Sequence, residues 1–294
     1  MAVVSLQYGQ TTARVRTKGA QIISFKGGDG REVIWQADPA VWPQHAPVLF
    51  PVCGSIRDNR ILIDGKPYPM TKHGFTREPD FEICHLGDDF VDLVLRDSEE
   101  TRAMYPFAFA FHVTYRLFEG GYTTTFLIEN RSDRVMPACV GGHPAYNVPM
   151  EAGAAYEDYQ VVFSKKEEGI NSLAPGGGLL DGEEKLSELK DGRVLPLSHA
   201  LFDPRDALIF AGLNSRSVDL VHKTTGHGLR FDFPKMEVLA IWSMPHKNAP
   251  YVCLEPWHGM PGRAKDGDSF EEKPYVSLIG PGRVYTAWFT TTLI

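Results

Sequence analysis

Three short stretches of this chain set a titratable side chain beside proline or glycine. They are Lys72-His73-Gly74-Phe75, Gly141-Gly142-His143-Pro144-Ala145-Tyr146-Asn147 and Cys253-Leu254-Glu255-Pro256-Trp257-His258-Gly259. Two imidazoles and one carboxylate are the minimum kit for paired proton transfer on a small molecule. Pro144 disfavours helix at His143, which places that residue in extended or turn backbone, and Gly141 and Gly142 permit close backbone approach. Glu255 follows the apolar run Tyr251-Val252-Cys253-Leu254 and precedes Pro256. A buried acid is uncommon unless it is paired or functional. Each residue also has a plainer reading: His143 as a turn cap, Glu255 as a half-exposed strand end.

Other residues qualify as ligand contacts. Arg60, ahead of Ile61-Leu62-Ile63, and Arg77, four residues beyond His73, carry guanidinium forks that suit a polar or anionic ligand. Both read equally well as surface arginines. Asp206 opens the apolar run Ala207-Leu208-Ile209-Phe210 as a ligand or a turn cap, with Asp203 three residues before it. The five tryptophans, Trp35, Trp42, Trp242, Trp257 and Trp288, read as core by default, although an indole stacks well on a sugar. Two histidines and a glutamate also make a familiar zinc or iron set, but neither H-E-x-x-H nor a close His-x-His pair occurs, so no metal is expected. No G-x-S-x-G elbow is present, and Gly176-Gly177-Gly178 lacks the G-K-S/T ending of a phosphate loop.

The composition narrows the class of partner. The formal charge is −7 with no basic cluster, which argues against nucleic acid. No run of about 18 apolar residues occurs, so no membrane-spanning helix is expected. Met1 to Gln10 lacks the apolar core of a secretory signal. Cys53, Cys84, Cys139 and Cys253 are widely spaced without a CxxC pair and read as buried free thiols in a cytoplasmic protein. A monomer or homodimer is expected.

The elements that must position these residues are strands. Phe109, Phe111, Val113, Tyr115 and Leu117 alternate with smaller or polar residues, and Glu119-Gly120-Gly121 turns the chain into a second strand, Tyr122 to Glu129. Asp64-Gly65 predicts a hairpin over Arg60 to Met70. Further strands are predicted at Gln21–Phe25, Glu32–Trp35, Phe90–Arg96, Val218–His222, Leu229–Phe233, Val238–Trp242 and Arg283–Thr290, with a helix at Ser98–Tyr105. Glu151 to Gly192, rich in Gly and Glu, reads as a surface excursion with little regular structure. The pattern indicates an all-β antiparallel sandwich in which residues 1–294 form one domain.

In this order the stretches resemble the aldose 1-epimerase (galactose mutarotase) family, and within it a LacX-like branch, over about Gln21 to Thr290. His143-Pro144-x-Tyr146-Asn147 is similar to the family's His-Pro motif, Leu254-Glu255-Pro256-Trp257 to its late glutamate motif and His73-Gly74 to its first His-Gly motif. Arg60, after Asp58-Asn59, resembles its sugar-binding arginine, and Asp206, with Asp203 as competitor, its aspartate. Phe75 stands where the family has a second glycine, and His73-Gly74-Phe75-Thr76-Arg77 is closer to a hexose-6-phosphate mutarotase variant. The resemblance implies a β-supersandwich and a cofactor-independent isomerase acting on a sugar or sugar phosphate. It implies that Glu255 is the general base and His143 the general acid, and the residue types suit those roles at ordinary pKa values, since a carboxylate at about 4.3 is ionised at neutral pH and an imidazole at about 6.5 can hold a proton. A non-catalytic sugar-binding protein of this fold and a metal-dependent β-sandwich enzyme are the alternatives.

Overall fold

A computed structural model describes every residue of the chain except 266 and 268. Its architecture is antiparallel β throughout, as the alternation predicts. The largest sheet has nine strands. In spatial order they are Val194–Pro196, Tyr159–Phe163, Ser217–His222, Gly228–Asp232, Val284–Leu293, Gly121–Asn130, Phe109–Phe118, Phe90–Arg96 and Glu82–Leu86. The alternating residues Phe109, Phe111, Val113, Tyr115 and Leu117 all point inward and are buried. Glu119 and Gly120 form the two-residue turn, and Gly120 adopts a φ of 70° that suits glycine.

A second sheet faces this one and holds Glu255, with His143 between two of its short strands. Its strands run Ala207–Ala211, Val238–Trp242, Tyr251–His258, Val140–Gly142 and Val48–Leu49, and Ala145–Asn147 also pairs with Tyr251–His258. Phe50, just past the edge strand, stacks on Phe111 of the large sheet at 4.6 Å between ring centres. Tyr146 sends its hydroxyl across the core to Thr291 at 2.6 Å, with Tyr122 alongside at 3.3 Å. Apolar packing joins the sheets, while this buried hydroxyl chain fixes their lateral alignment, because leaving any one of the three unpaired costs about 1–3 kcal/mol.

Smaller parts frame the sandwich. Val3–Tyr8, Thr11–Arg16 and Gln21–Lys26 form a three-stranded sheet, and Arg60–Ile63 pairs with Lys66–Pro69 as the Asp64-Gly65 turn predicts. The helix covers Glu99–Met104, with Ser98 accepting from the Thr101 amide as its cap. Glu32–Trp35 makes isolated bridges in place of the predicted strand, because its carboxylate is spent on the backbone amides of Phe25 and Ile34. Residues 151–192 also depart from expectation. Tyr159–Phe163 is a full member of the large sheet, and Ile170–Ser172 pairs with Glu183–Lys185. Of the four free cysteines three are buried, whereas Cys84 is half-buried because its strand, Glu82–Leu86, lies at the sheet edge. Among the described residues no helix is long and apolar enough to cross a membrane.

Candidate active site

His143 and Glu255 meet because of strand register. The strand Tyr251–His258 pairs on one side with two short pieces, Gly141 opposite Trp257 and Ala145 opposite Cys253. Counting inward from both ends sets His143 directly opposite Glu255. Residues opposite each other in an antiparallel pair present side chains to the same face. The His143 Nε2 lies 3.2 Å from the Glu255 Oε2, with the two side chains 8 % and 3 % exposed. The contact does not make a hydrogen bond, which leaves Oε2 without a partner in the protein, and the His143 Nδ1 on the far side of the ring has none either. A buried acid left this way costs several kcal/mol, which is hard to explain as architecture.

The pair forms the floor of a cleft of about 190 Å³. An apolar cavity of about 150 Å³ accepts one benzene ring, so there is room here for a single six-membered ring. Trp42 lies stacked on the His143 ring at 5.0 Å, and Trp242 meets it edge-on at 5.5 Å. Trp257, with its indole nitrogen unpartnered, forms a further wall.

His73 enters from a strained turn. Its φ is 67°, and Gly74 follows at 79°. A Cβ on Gly74 would stand 1.9 Å from the Phe50 carbonyl oxygen, so only glycine fits. The Gly54 amide donates to the His73 Nδ1 at 3.0 Å, which assigns the proton of the neutral ring to Nε2. Lys72 reaches over the cleft, and its ammonium donates to the Gly177 carbonyl at 2.9 Å. The Ser55 hydroxyl donates to the same carbonyl at 2.7 Å, pinning the Gly176-Gly177-Gly178 loop to the rim. Arg77 lines the cleft half-buried, and its Nε lacks a partner.

Asp206, at a φ of 65° just before the strand Ala207–Ala211, also lines the cleft and accepts from the Trp242 indole at 3.3 Å. Asp203 instead accepts from the His246 amide outside the cleft. Arg60 is not brought to the site. Ile61 and Ile63 are the buried residues of that strand, so period-two facing turns Arg60 outward, where it pairs with Asp58 at 3.4 Å. Of the two candidate arginines only Arg77 lines the cleft, and the second cation there is Lys72. Lys72, Ser55 and the glycine loop escaped the sequence reading, although Lys72 adjoins His73.

Burial sets the protonation of the floor and corrects the expectation of ordinary pKa values. Desolvation raises the Glu255 carboxyl well above the usual carboxylate range, opposed by Lys72 and Arg77. Desolvation pushes His143 well below the usual imidazole value, and Arg77 and Lys72 add to that. His73 is lowered for the same first reason. An acid moved up and a conjugate acid moved down approach one another, which is the matching a reversible proton exchange needs. For metal binding, the structure gathers His143, Cys253 and Glu255, whose ligand atoms lie within 4.8 Å of one another, with Cys253 in the place the sequence gave to His73.

Comparison with known proteins follows the same lines. A family model described as aldose 1-epimerase matches residues 2–274. Protein LacX (plasmid) of Lactococcus lactis subsp. lactis is 34 % identical over 285 residues, covering 95 % of each chain. A galactose mutarotase related enzyme from Lactobacillus acidophilus superposes with a TM-score of 0.92 at 30 % identity, over 100 % of this chain and 97 % of that one. A galactose mutarotase-like protein from Lactobacillus casei ATCC 334 gives 0.92 at 27 % identity, with both chains covered in full. Sandwich, cleft and relatives agree: the chain belongs to the aldose 1-epimerase family.

Proposed function

We propose that the protein interconverts the α and β anomers of a hexose or hexose phosphate. The observation that carries this reading is the buried Glu255–His143 pair at 3.2 Å, with the Glu255 Oε2 and the His143 Nδ1 unpartnered, on the floor of a cleft sized for one pyranose. Both reacting oxygens of a pyranose, the C1 hydroxyl and the ring oxygen, are bonded to C1. A base and an acid serving them must converge as these two do. With the pair's one proton moved from Glu255 to His143 in the sugar complex, Glu255 removes the C1 hydroxyl proton while His143 delivers a proton to the ring oxygen, and the C1–O5 bond breaks. The aldehyde turns about C1–C2. On closure the roles reverse, with His143 recovering the hydroxyl proton and Glu255 returning its own to the carbonyl oxygen, so the pair ends as it began. His73, with its proton on Nε2, and Asp206 offer a donor and an acceptor for sugar hydroxyls.

A phosphorylated hexose is favoured over a free one by a specific observation. Two cations, Lys72 and Arg77, face the cleft, and the Arg77 Nε has no partner in the protein. A guanidinium suits a phosphate dianion better than a neutral hydroxyl.

The test is anomer exchange, followed by polarimetry and NMR, over a panel of free and 6-phosphorylated hexoses. The reading requires acceleration above the buffer rate for at least one sugar. Sugar binding with no acceleration would make this a sugar-binding protein instead.

A further inference from the structure

The acid–base chemistry leaves Cys253 unused. Two residues before Glu255 on the same strand, it presents its side chain to the same face, and it is fully buried. His143, Cys253 and Glu255 each offer one ligand atom, all within 4.8 Å of one another. The 3.2 Å between the His143 Nε2 and the Glu255 Oε2 suits a metal. With zinc bonds of about 2.0–2.1 Å, a tetrahedral centre holds its nitrogen and oxygen ligands roughly 3.3 Å apart. The Glu255 Oε2, on a side chain more than nine-tenths buried, has no hydrogen-bond partner in the protein. One nitrogen, one oxygen and one sulfur favour a borderline-soft ion over magnesium or calcium.

We propose that Zn²⁺ binds to His143, Cys253 and Glu255 and inhibits the enzyme. Three protein ligands leave the fourth tetrahedral position open toward the cleft. Cys253 coordinates as its thiolate, Glu255 as its carboxylate and His143 through the lone pair of its neutral ring, so the protons these atoms held pass to solvent on binding. The ion then occupies the acid and the base together. Lys72 and Arg77 face the same cleft and oppose a cation, which keeps the site reversible. The inhibition rests on the proposed anomer exchange; the binding does not.

A surface cluster of Cys84, His85 and Asp92 is a second place for zinc to bind, so the measurement uses a Cys84→Ser background. Titration of the folded protein with ZnCl₂ against a chromophoric chelator should show one ion per chain. Adding Cys253→Ser or Cys253→Ala should weaken that binding at least tenfold. Without zinc, both double variants should exchange anomers at the rate of Cys84→Ser, since Cys253 touches no reacting atom. Chelated enzyme should keep full activity, and zinc should inhibit it competitively with sugar. Zinc affinity unchanged by either Cys253 substitution overturns the site, as does a chelated enzyme that zinc activates. Cys253-dependent zinc binding in a protein that exchanges no sugar's anomers would leave the site standing and remove the proposed function.

Discussion

Glu255 carries the heaviest demand of any single side chain, being buried, acidic and without a hydrogen-bond partner at Oε2. Replacing it with glutamine keeps its shape and removes the base. Glu255→Gln is expected to lower the anomer-exchange rate by roughly 10² to 10⁴ while leaving sugar affinity within a few-fold, measured by NMR exchange and calorimetry. A variant keeping more than half the rate would end Glu255's assignment as base. Because burial raises the Glu255 pKa, its carboxyl should stay protonated where an ordinary glutamic acid, with a pKa of about 4.3, is ionised. Infrared difference spectra between wild type and Glu255→Gln should therefore retain the protonated carboxyl band at about pH 5.5 in the sugar-free protein. A band that disappears with a midpoint near about 4.3 would refute the shift. Arg77 decides the substrate. If it holds a phosphate, Arg77→Ala should raise KM for a phosphosugar much more than for the free sugar, and equal effects would leave a free-sugar mutarotase. At this scale the sequence was informative about type and blind to placement. His73, His143, Glu255, Arg77 and Asp206, far apart in sequence, line one cleft. Arg60 could have been set aside from the Ile61/Ile63 alternation, whereas Lys72 looks like any exposed lysine until the Gly177 carbonyl is placed beside it.

Two glycines separate an element that must be rigid from one that can yield. A Cβ at Gly74 would meet the backbone of Phe50 and Pro51 at 1.9 to 2.8 Å, so the chain at the edge of the second sheet would have to move. Gly74→Ala is expected to lose roughly 3 kcal/mol or more in urea unfolding. At Gly177 the near atoms are the side-chain ends of Asp206 and Lys72, at 2.6 and 2.7 Å, which can rotate aside. The positive φ alone then costs about 1 kcal/mol, so Gly177→Ala should fold and instead raise KM. Wild-type KM in that variant would take the loop out of sugar binding. The strands themselves were legible because alternation is a local signal. The hairpin at 109–130 and the strands Phe90–Arg96 and Val238–Trp242 stand where the pattern puts them. Residues 151–192 were misread because Gly and Glu dominate the stretch, although Tyr159, Val161 and Phe163 alternate within it. What no local pattern contains is the pairing of 140–147 with 251–258, across more than a hundred residues. That register sets His143 opposite Glu255.

The molecule as a whole keeps several histidines uncharged. His45 is lowered to about 4 by burial and by Arg16, while His73 and His143 are driven down chiefly by burial. A folded-state pKa below the unfolded value of about 6.5 gives stability that is present above about 6.5 and lost as pH falls through the folded value. The melting temperature is therefore expected to fall as pH drops from about 6.5 toward about 4, and a flat profile over that range would show that these rings charge without cost in the fold. The nine-stranded sheet has a different kind of vulnerability. Val284–Leu293 sits at its centre with four strands on either side, and all eight precede it in sequence. As the chain is made from its N-terminal side, two half-sheets exist before their joining strand does, each with an open edge, at Gly121–Asn130 and at Gly228–Asp232. Such edges invite pairing with other chains. The strand carrying Glu255 has by then been made, so on the ribosome the Glu255–His143 pair waits on a joining strand that contains neither residue.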